Sequence, residues 1–279
     1  MNSGSEPFPS PMRFVALGDS FSEGVGDDSG RSFAGWTGRL ATGLAETLTS
    51  EMQYANLAIR GRLFEDVVEE QLPAALGLNP VPTLITFCAG GNNLLRPRFR
   101  PEIMIAKLEA AADLIAASGA ELVLVSPADP SARLPMGRLI HHRGDIWATA
   151  LAEFARRRAL LFVDVSHDSR LRHERFWAPD RLHMNANGHQ WVADLVLHAL
   201  MNRPRPAADR VVQPTARSVS TELAYFRSFV APWMMRRLTG RSSGDGRLPS
   251  HPVWVRVSPG SRDDLPSSGS YSERDERSL

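Results

Sequence analysis

Five short apolar runs alternate with helix-length segments along this chain, and that alternation limits the fold more than any other feature. The runs are "RFVAL" (13–17), "QYANLA" (53–58), "TLITFC" (83–88), "ELVLVS" (121–126) and "LLFVDV" (160–165). Each is too short for a buried helix and rich in β-branched or aromatic residues, so each reads as a buried strand. Between them lie "GWTGRLATGLAETLTS", "FEDVVEEQLPAAL", "MIAKLEAAADLIAASG" and "GDIWATALAEFARRR", with apolar residues at three-to-four spacing. "NANGHQWVADLVLHALMN" follows the fifth strand as a final helix, capped by Asn185 or Asn187. Strands alternating with helices must run parallel through crossovers. The expected fold class is therefore α/β, a three-layer α/β/α sandwich around a central parallel five-stranded sheet. Working residues in such sheets gather where strand carboxyl ends meet the following loops.

Composition sets the outer limits. A hydrophobic share of 43% is enough to build one substantial core, and a net charge of +1 gives no field that would favour nucleic acid. Almost all positive charge is arginine, with Lys107 the one lysine. The single cysteine, Cys88, has no internal disulfide partner and reads as a small core residue. The start "MNSGSEPFPSPMRF" lacks a secretory pattern, and no run reaches the ~18 apolar residues of a spanning helix. The expectation is a soluble cytoplasmic protein without an integral membrane segment.

Three regions are expected: a flexible N-terminus (1–12), a body (13–203) and a C-terminal extension (204–279). In the extension, an amphipathic helix is expected near residues 221–239, with Leu223, Phe226, Val230 and Met234 along one face and Pro232 interrupting it. Apart from the apolar island "VWVRV" (253–257), the rest is rich in Gly, Ser, Pro and charge and reads as largely disordered.

The first strand ends abruptly in "GDSFSEGVGD", which places Ser20 just beyond a strand tip. A serine nucleophile needs a base, because its free hydroxyl is too weakly acidic at neutral pH. Among eight histidines, His183 in "WAPDRLHMNANGH" follows Asp180 by three residues, in the loop between the last strand and last helix. An Asp-x-x-His turn lets the carboxylate accept the Nδ1 proton and leaves Nε2 for the serine. Two other strand ends offer hydrogen-bond donors: Gly61 after the second strand and Asn92 after the third. Taken singly, each of these is ordinary turn chemistry. Together they hold the inventory for acyl transfer.

"GDSFSEGVGD", "NLAIRG", "AGGNN" and "DRLHMNANGH" resemble, in order and spacing, the four blocks of the SGNH (GDSL-type) serine hydrolase superfamily. The resemblance spans roughly residues 13–201. It implies a flavodoxin-like catalytic domain over 13–203 that hydrolyses carboxylic esters, lipid esters included, through an acyl-enzyme intermediate, with no cofactor and no metal. It also implies Ser20 as nucleophile, Asp180 and His183 as triad partners, and an oxyanion hole from the Ser20 N–H, the Gly61 N–H and the Asn92 amide. Two positions depart from the pattern. Phe21 stands where the motif has leucine, and Asn93 stands where the third block has aspartate.

Other features point to structure rather than chemistry. "HHRGD" (141–145) lacks a third ligand at metal spacing. His167 and His173 read as solvated, His189 as structural, and Arg96, Arg98 and Arg100 as a solvated cluster. "GDSFSEGVGD" lacks the lysine of a phosphate-binding loop. Two other readings remain. One is a carbohydrate O-acetyl deacetylase using the same residues. The other is a non-enzymatic scaffold whose C-terminal helix, with Phe226, Phe229, Trp233 and Met234 beside Arg236 and Arg237, contacts a membrane or a protein partner.

Overall fold

The computed structural model describes residues 11–134, 136–205 and 244–260. The five expected strands form, as β1 (Arg13–Gly18), β2 (Met52–Asn56), β3 (Leu84–Cys88), β4 (Glu121–Val125) and β5 (Leu161–Val163). All their mutual pairings are parallel. The sheet nevertheless has six strands, in the order β5-β4-β3-β1-β2-β6. The additional strand, β6 (His251–Val257), comes from the C-terminal extension and pairs antiparallel with β2.

This sixth strand corrects the five-stranded expectation. The apolar island "VWVRV" is too brief to mark a strand in its polar surroundings, and its partner lies some two hundred residues earlier, as in the pairing of Met52 with Val257. Side-chain contacts hold it in place. His251 sits near the rings of Phe33 and Tyr54, and the Trp254 indole N–H donates to the Pro80 carbonyl at 2.9 Å. The expected helix over 221–239 lies outside the described residues.

The strands alternate sides, which builds two cores. Phe14 and Ala16 of β1 face a cluster with Trp36, Leu40 and Leu44 of α2 (Gly35–Leu48) and Val192 and Val196 of the final helix α7 (Ala186–Leu200). Val15 and Leu17 face the opposite cluster. There the layer consists of α3 (Phe64–Asp66), α4 (Leu72–Leu76), α5 (Pro101–Ser118) and α6 (Gly137–Arg158). A π-helical turn, Val67–Gln71, joins α3 to α4, so the expected single helix over 64–76 carries one wide turn. That turn aims the Gln71 amide at the end of β1, where it accepts from the Gly18 N–H and donates to the Gly18 carbonyl at 2.9 and 2.8 Å.

Candidate active site

The chain leaves β1 at Gly18 and enters a four-residue helix, α1 (Ser20–Glu23). Asp19 is its N-cap, its carboxylate accepting the Phe21 N–H at 3.1 Å. Ser20 thus occupies the first helical position, half-buried and immediately past the strand tip. First-turn N–H groups have no intrahelical acceptor. Among the described residues neither the Ser20 N–H nor its Oγ has a hydrogen-bond partner. Phe21 packs near Trp36 and the His189 ring, with centroids 5.9 and 5.8 Å away. Its aromatic ring is therefore a packing choice and takes no part in presenting Ser20.

The turn after β2 carries Gly61 at φ +79°, a left-handed conformation that favours glycine. The Gly61 N–H also has no acceptor among the described residues. Asn92, beyond β3, points its Nδ2 between this turn and the Ser20 helix. It donates to the Arg62 carbonyl at 3.0 Å and to Asp19 Oδ2 at 3.3 Å. Asn93 is buried and fully engaged: Oδ1 accepts from the Phe64 N–H and Nδ2 donates to Glu65, both at 2.9 Å. A carboxylate at 93 could do the first but would face Glu65 as a like charge. The departure at Asn93 therefore matches a neighbour of this chain and leaves the local hydrogen bonding complete.

Asp180 and His183 lie between β5 and α7. The His183 Nδ1 is 2.6 Å from Asp180 Oδ2. The other oxygen, Oδ1, accepts the Leu182 and His183 N–H groups at 3.1 and 3.0 Å. Burial pushes the Asp180 carboxyl up, but its hydrogen bond from His183 and that residue's charge outweigh this and leave it below the ordinary value. Asn185 caps α7 through the Asn187 and Gly188 N–H groups.

The Ser20 and His183 segments meet through the loop that follows α1. A Cβ at Gly26 would lie 2.2 Å from the Met184 carbonyl oxygen and 3.2 Å from His183 Cβ, so only glycine allows this approach. His189, fully buried in α7, accepts the Trp36 N–H at Nδ1 (3.1 Å) and pairs through Nε2 with the Val25 carbonyl (3.2 Å). Val25 in turn donates to the Ser20 carbonyl at 3.0 Å. Behind the loop, the buried Asp27 carboxylate accepts from Arg39 at 2.8 and 3.0 Å and from the Gly35 N–H at 2.8 Å. Burial lifts the Asp19 carboxyl to about 6, against the opposing pull of the Phe21 N–H and of nearby His183. Ser20 Oγ and His183 are not hydrogen-bonded to one another; such bonds often tighten only when substrate is bound.

Some of the remaining features depart from expectation. His167 is not simply solvated: it bridges Asp164 and Asp145, each at 2.7 Å. His173 is half-buried, its Nε2 without a partner among the described residues. Cys88 is buried and free, and burial raises its thiol well above the ordinary value. No helix among the described residues is long and apolar enough to cross a membrane. Gln71, Glu23 and His189 hold the site together, and no motif marked Gln71 or Glu23 because each acts across long sequence separation. A small cleft is lined by Leu94, Pro127, Ala128, Ile140 and Trp147. Pro127 closes on Gly91, which also adjoins the Asp19 carboxylate.

Solved structures share this fold. TesA is 22% identical with a TM-score of 0.55, covering 68% of this chain and 99% of its own. LAE5, an alpha/beta hydrolase enzyme from the metagenome of Lake Arreo, Spain, is 22% identical with a TM-score of 0.56, covering 71% and 98%. A catalytic mutant of Axe2, an acetylxylan esterase from Geobacillus stearothermophilus, is 17% identical with a TM-score of 0.55, covering 73% and 100%. At these identities the likeness defines the fold. No curated protein matches the chain in sequence. The sequence model of the GDSL-like lipase/acylhydrolase family matches residues 16–191, and the chain belongs to that family of ester hydrolases.

Proposed function

We propose that this protein is a metal-independent serine hydrolase of carboxylic esters, with Ser20, His183 and Asp180 as its triad. The observation that carries the reading is the 2.6 Å His183 Nδ1···Asp180 contact on a loop packed, through Gly26, against the segment that follows Ser20. With Nδ1 facing Asp180, Nε2 is the free basic nitrogen. It takes the Oγ proton as Ser20 Oγ bonds to the acyl carbon, and the carbonyl oxygen becomes an oxyanion. The Ser20 and Gly61 N–H groups, unpaired among the described residues, receive that oxyanion, together with Asn92 Nδ2, whose 3.3 Å bond to Asp19 is the weaker one to give up. His183 then protonates the leaving alkoxide as the acyl C–O bond breaks. Water, deprotonated by His183, attacks the acyl-enzyme and restores Ser20 with release of the acid.

A second reading within the same chemistry is an O-acetyl deacetylase. The support for it is the likeness in fold to Axe2, an acetylxylan esterase. The test is a panel of p-nitrophenyl esters and acetylated sugars, run with Ser20→Ala. Turnover by the wild type and its loss in a folded Ser20→Ala variant are expected. Wild-type rates in that variant would overturn the mechanism, and a medium-chain preference would overturn the deacetylase reading. Fluorophosphonate labelling separates enzyme from scaffold: no labelling of the folded protein favours a scaffold.

A further inference from the structure

The Gly61 turn projects from the edge of β2, and a donor there helps only if its peptide is held in one orientation. One side chain does most of this holding. The Glu23 carboxylate, at the end of the Ser20 helix, accepts the Arg60 N–H at Oε2 (2.5 Å) and the Arg60 guanidinium at Oε1 (2.8 and 2.6 Å). Both partners are substantially buried, with side-chain exposures of 14% for Glu23 and 29% for Arg60. This bidentate grip fixes residue 60 from its backbone and from its side chain at once. The next peptide unit carries the Gly61 N–H.

We infer that Glu23 is a positioning residue: its carboxylate locks Arg60 to the nucleophile helix and so sets the Gly61 N–H relative to Ser20. The inference rests on the proposed hydrolase reading. Two further observations support it. Helix α1 is only four residues long, so Ser20 and Glu23 move as one body. The turn also has little freedom elsewhere, since Asn92 holds the Arg62 carbonyl and Asp66 holds the Leu63 N–H at 2.8 Å. Removing Glu23 releases both the Arg60 N–H and its guanidinium from the nucleophile helix.

The role has a kinetic signature. An oxyanion donor acts on charge that exists only in the transition state, so loosening it lowers kcat and leaves KM nearly unchanged. A displacement on the order of 1 Å can cost about a hundredfold in rate. The experiment compares Glu23→Ala, Glu23→Gln and Arg60→Met with wild type and Ser20→Ala, in steady-state ester hydrolysis and in the rate of fluorophosphonate labelling. Glu23→Ala should lose roughly ten- to a hundredfold in kcat at near-constant KM, with labelling slowed in parallel. Glu23→Gln keeps an acceptor for the Arg60 N–H and should recover part of that loss. Arg60→Met keeps the backbone bond and should lose least.

A folded Glu23→Ala variant with kcat within about twofold of wild type overturns the inference. If Glu23→Ala does not fold, Glu23→Gln decides: a severalfold fall in kcat at constant KM supports the inference, and a wild-type kcat or a change confined to KM overturns it. Failure of the hydrolase reading looks different. It shows as full activity in Ser20→Ala, and the positioning role falls with it.

Discussion

The two turns that carry the candidate chemistry are held in opposite ways. The Asp180–His183 turn is held from within: Ala178 donates to the His183 carbonyl, Arg181 to the Ala178 carbonyl, and Asp180 accepts from residues two and three positions ahead. The Gly61 turn is held from outside. Apart from the nearby Asp66, its anchors are Glu23, Asn92 and Asn93, each roughly thirty or more residues away. A locally held turn is specified by a short motif. A remotely held one depends on the whole sheet bringing its anchors to the same edge.

This contrast can be broken at either turn. The largest effect is expected at the local one. Asp180→Asn keeps the shape but loses the carboxylate that selects the Nδ1–H tautomer of His183, and kcat should fall by about 10⁴. Steady-state hydrolysis checks it, and a loss under tenfold would show that His183 works without that partner. At the remote turn, Asn92→Ala removes one donor among several and should cost roughly 10²- to 10³-fold in kcat. A KM effect without a kcat effect would assign Asn92 to substrate binding instead.

The smallest effect concerns the buried joint between α7 and the loop that follows the Ser20 helix. Burial holds His189 neutral, its imidazole lowered from 6.5 to about 4, although its bond to the Val25 carbonyl pulls the other way. The unfolded chain therefore binds a proton that the folded one refuses between these values. The stability His189 confers is complete above 6.5 and declines as pH falls toward 4. Asp19 opposes this: its carboxyl, raised by burial to about 6, favours the folded state as pH falls from there toward 3.8. Comparing wild type with His189→Gln cancels the Asp19 contribution. The difference in unfolding free energy should shrink as pH falls through that window, and a constant difference would mean that His189 is protonated in the fold.

The six-stranded sheet sharpens the same lesson. Gly244, in the C-terminal extension, comes so close to the Gly61 turn that a Cβ there would lie 2.0 Å from the Arg60 carbonyl oxygen. The stretch leading into β6 thus packs against the turn that Glu23 holds, although its composition resembles a solvated tail. An edge strand in a polar context has no periodic signal of its own, because its pairing energy comes from β2 and its packing from Phe33, Tyr54 and Pro80.

Local pattern alone determined the parallel strands, the helices between them, Ser20 at a strand tip and the Asp180–His183 pair. Each of these is encoded within a window of a few residues, by hydrophobic period or by the reach of one side chain along its own turn. Tertiary structure alone decided the sixth strand, the Gln71 clasp on Gly18, the Asn93–Glu65 match and the Glu23 grip on Arg60. Those contacts join residues that share no local window, and they come together only when the sheet has set its strand order.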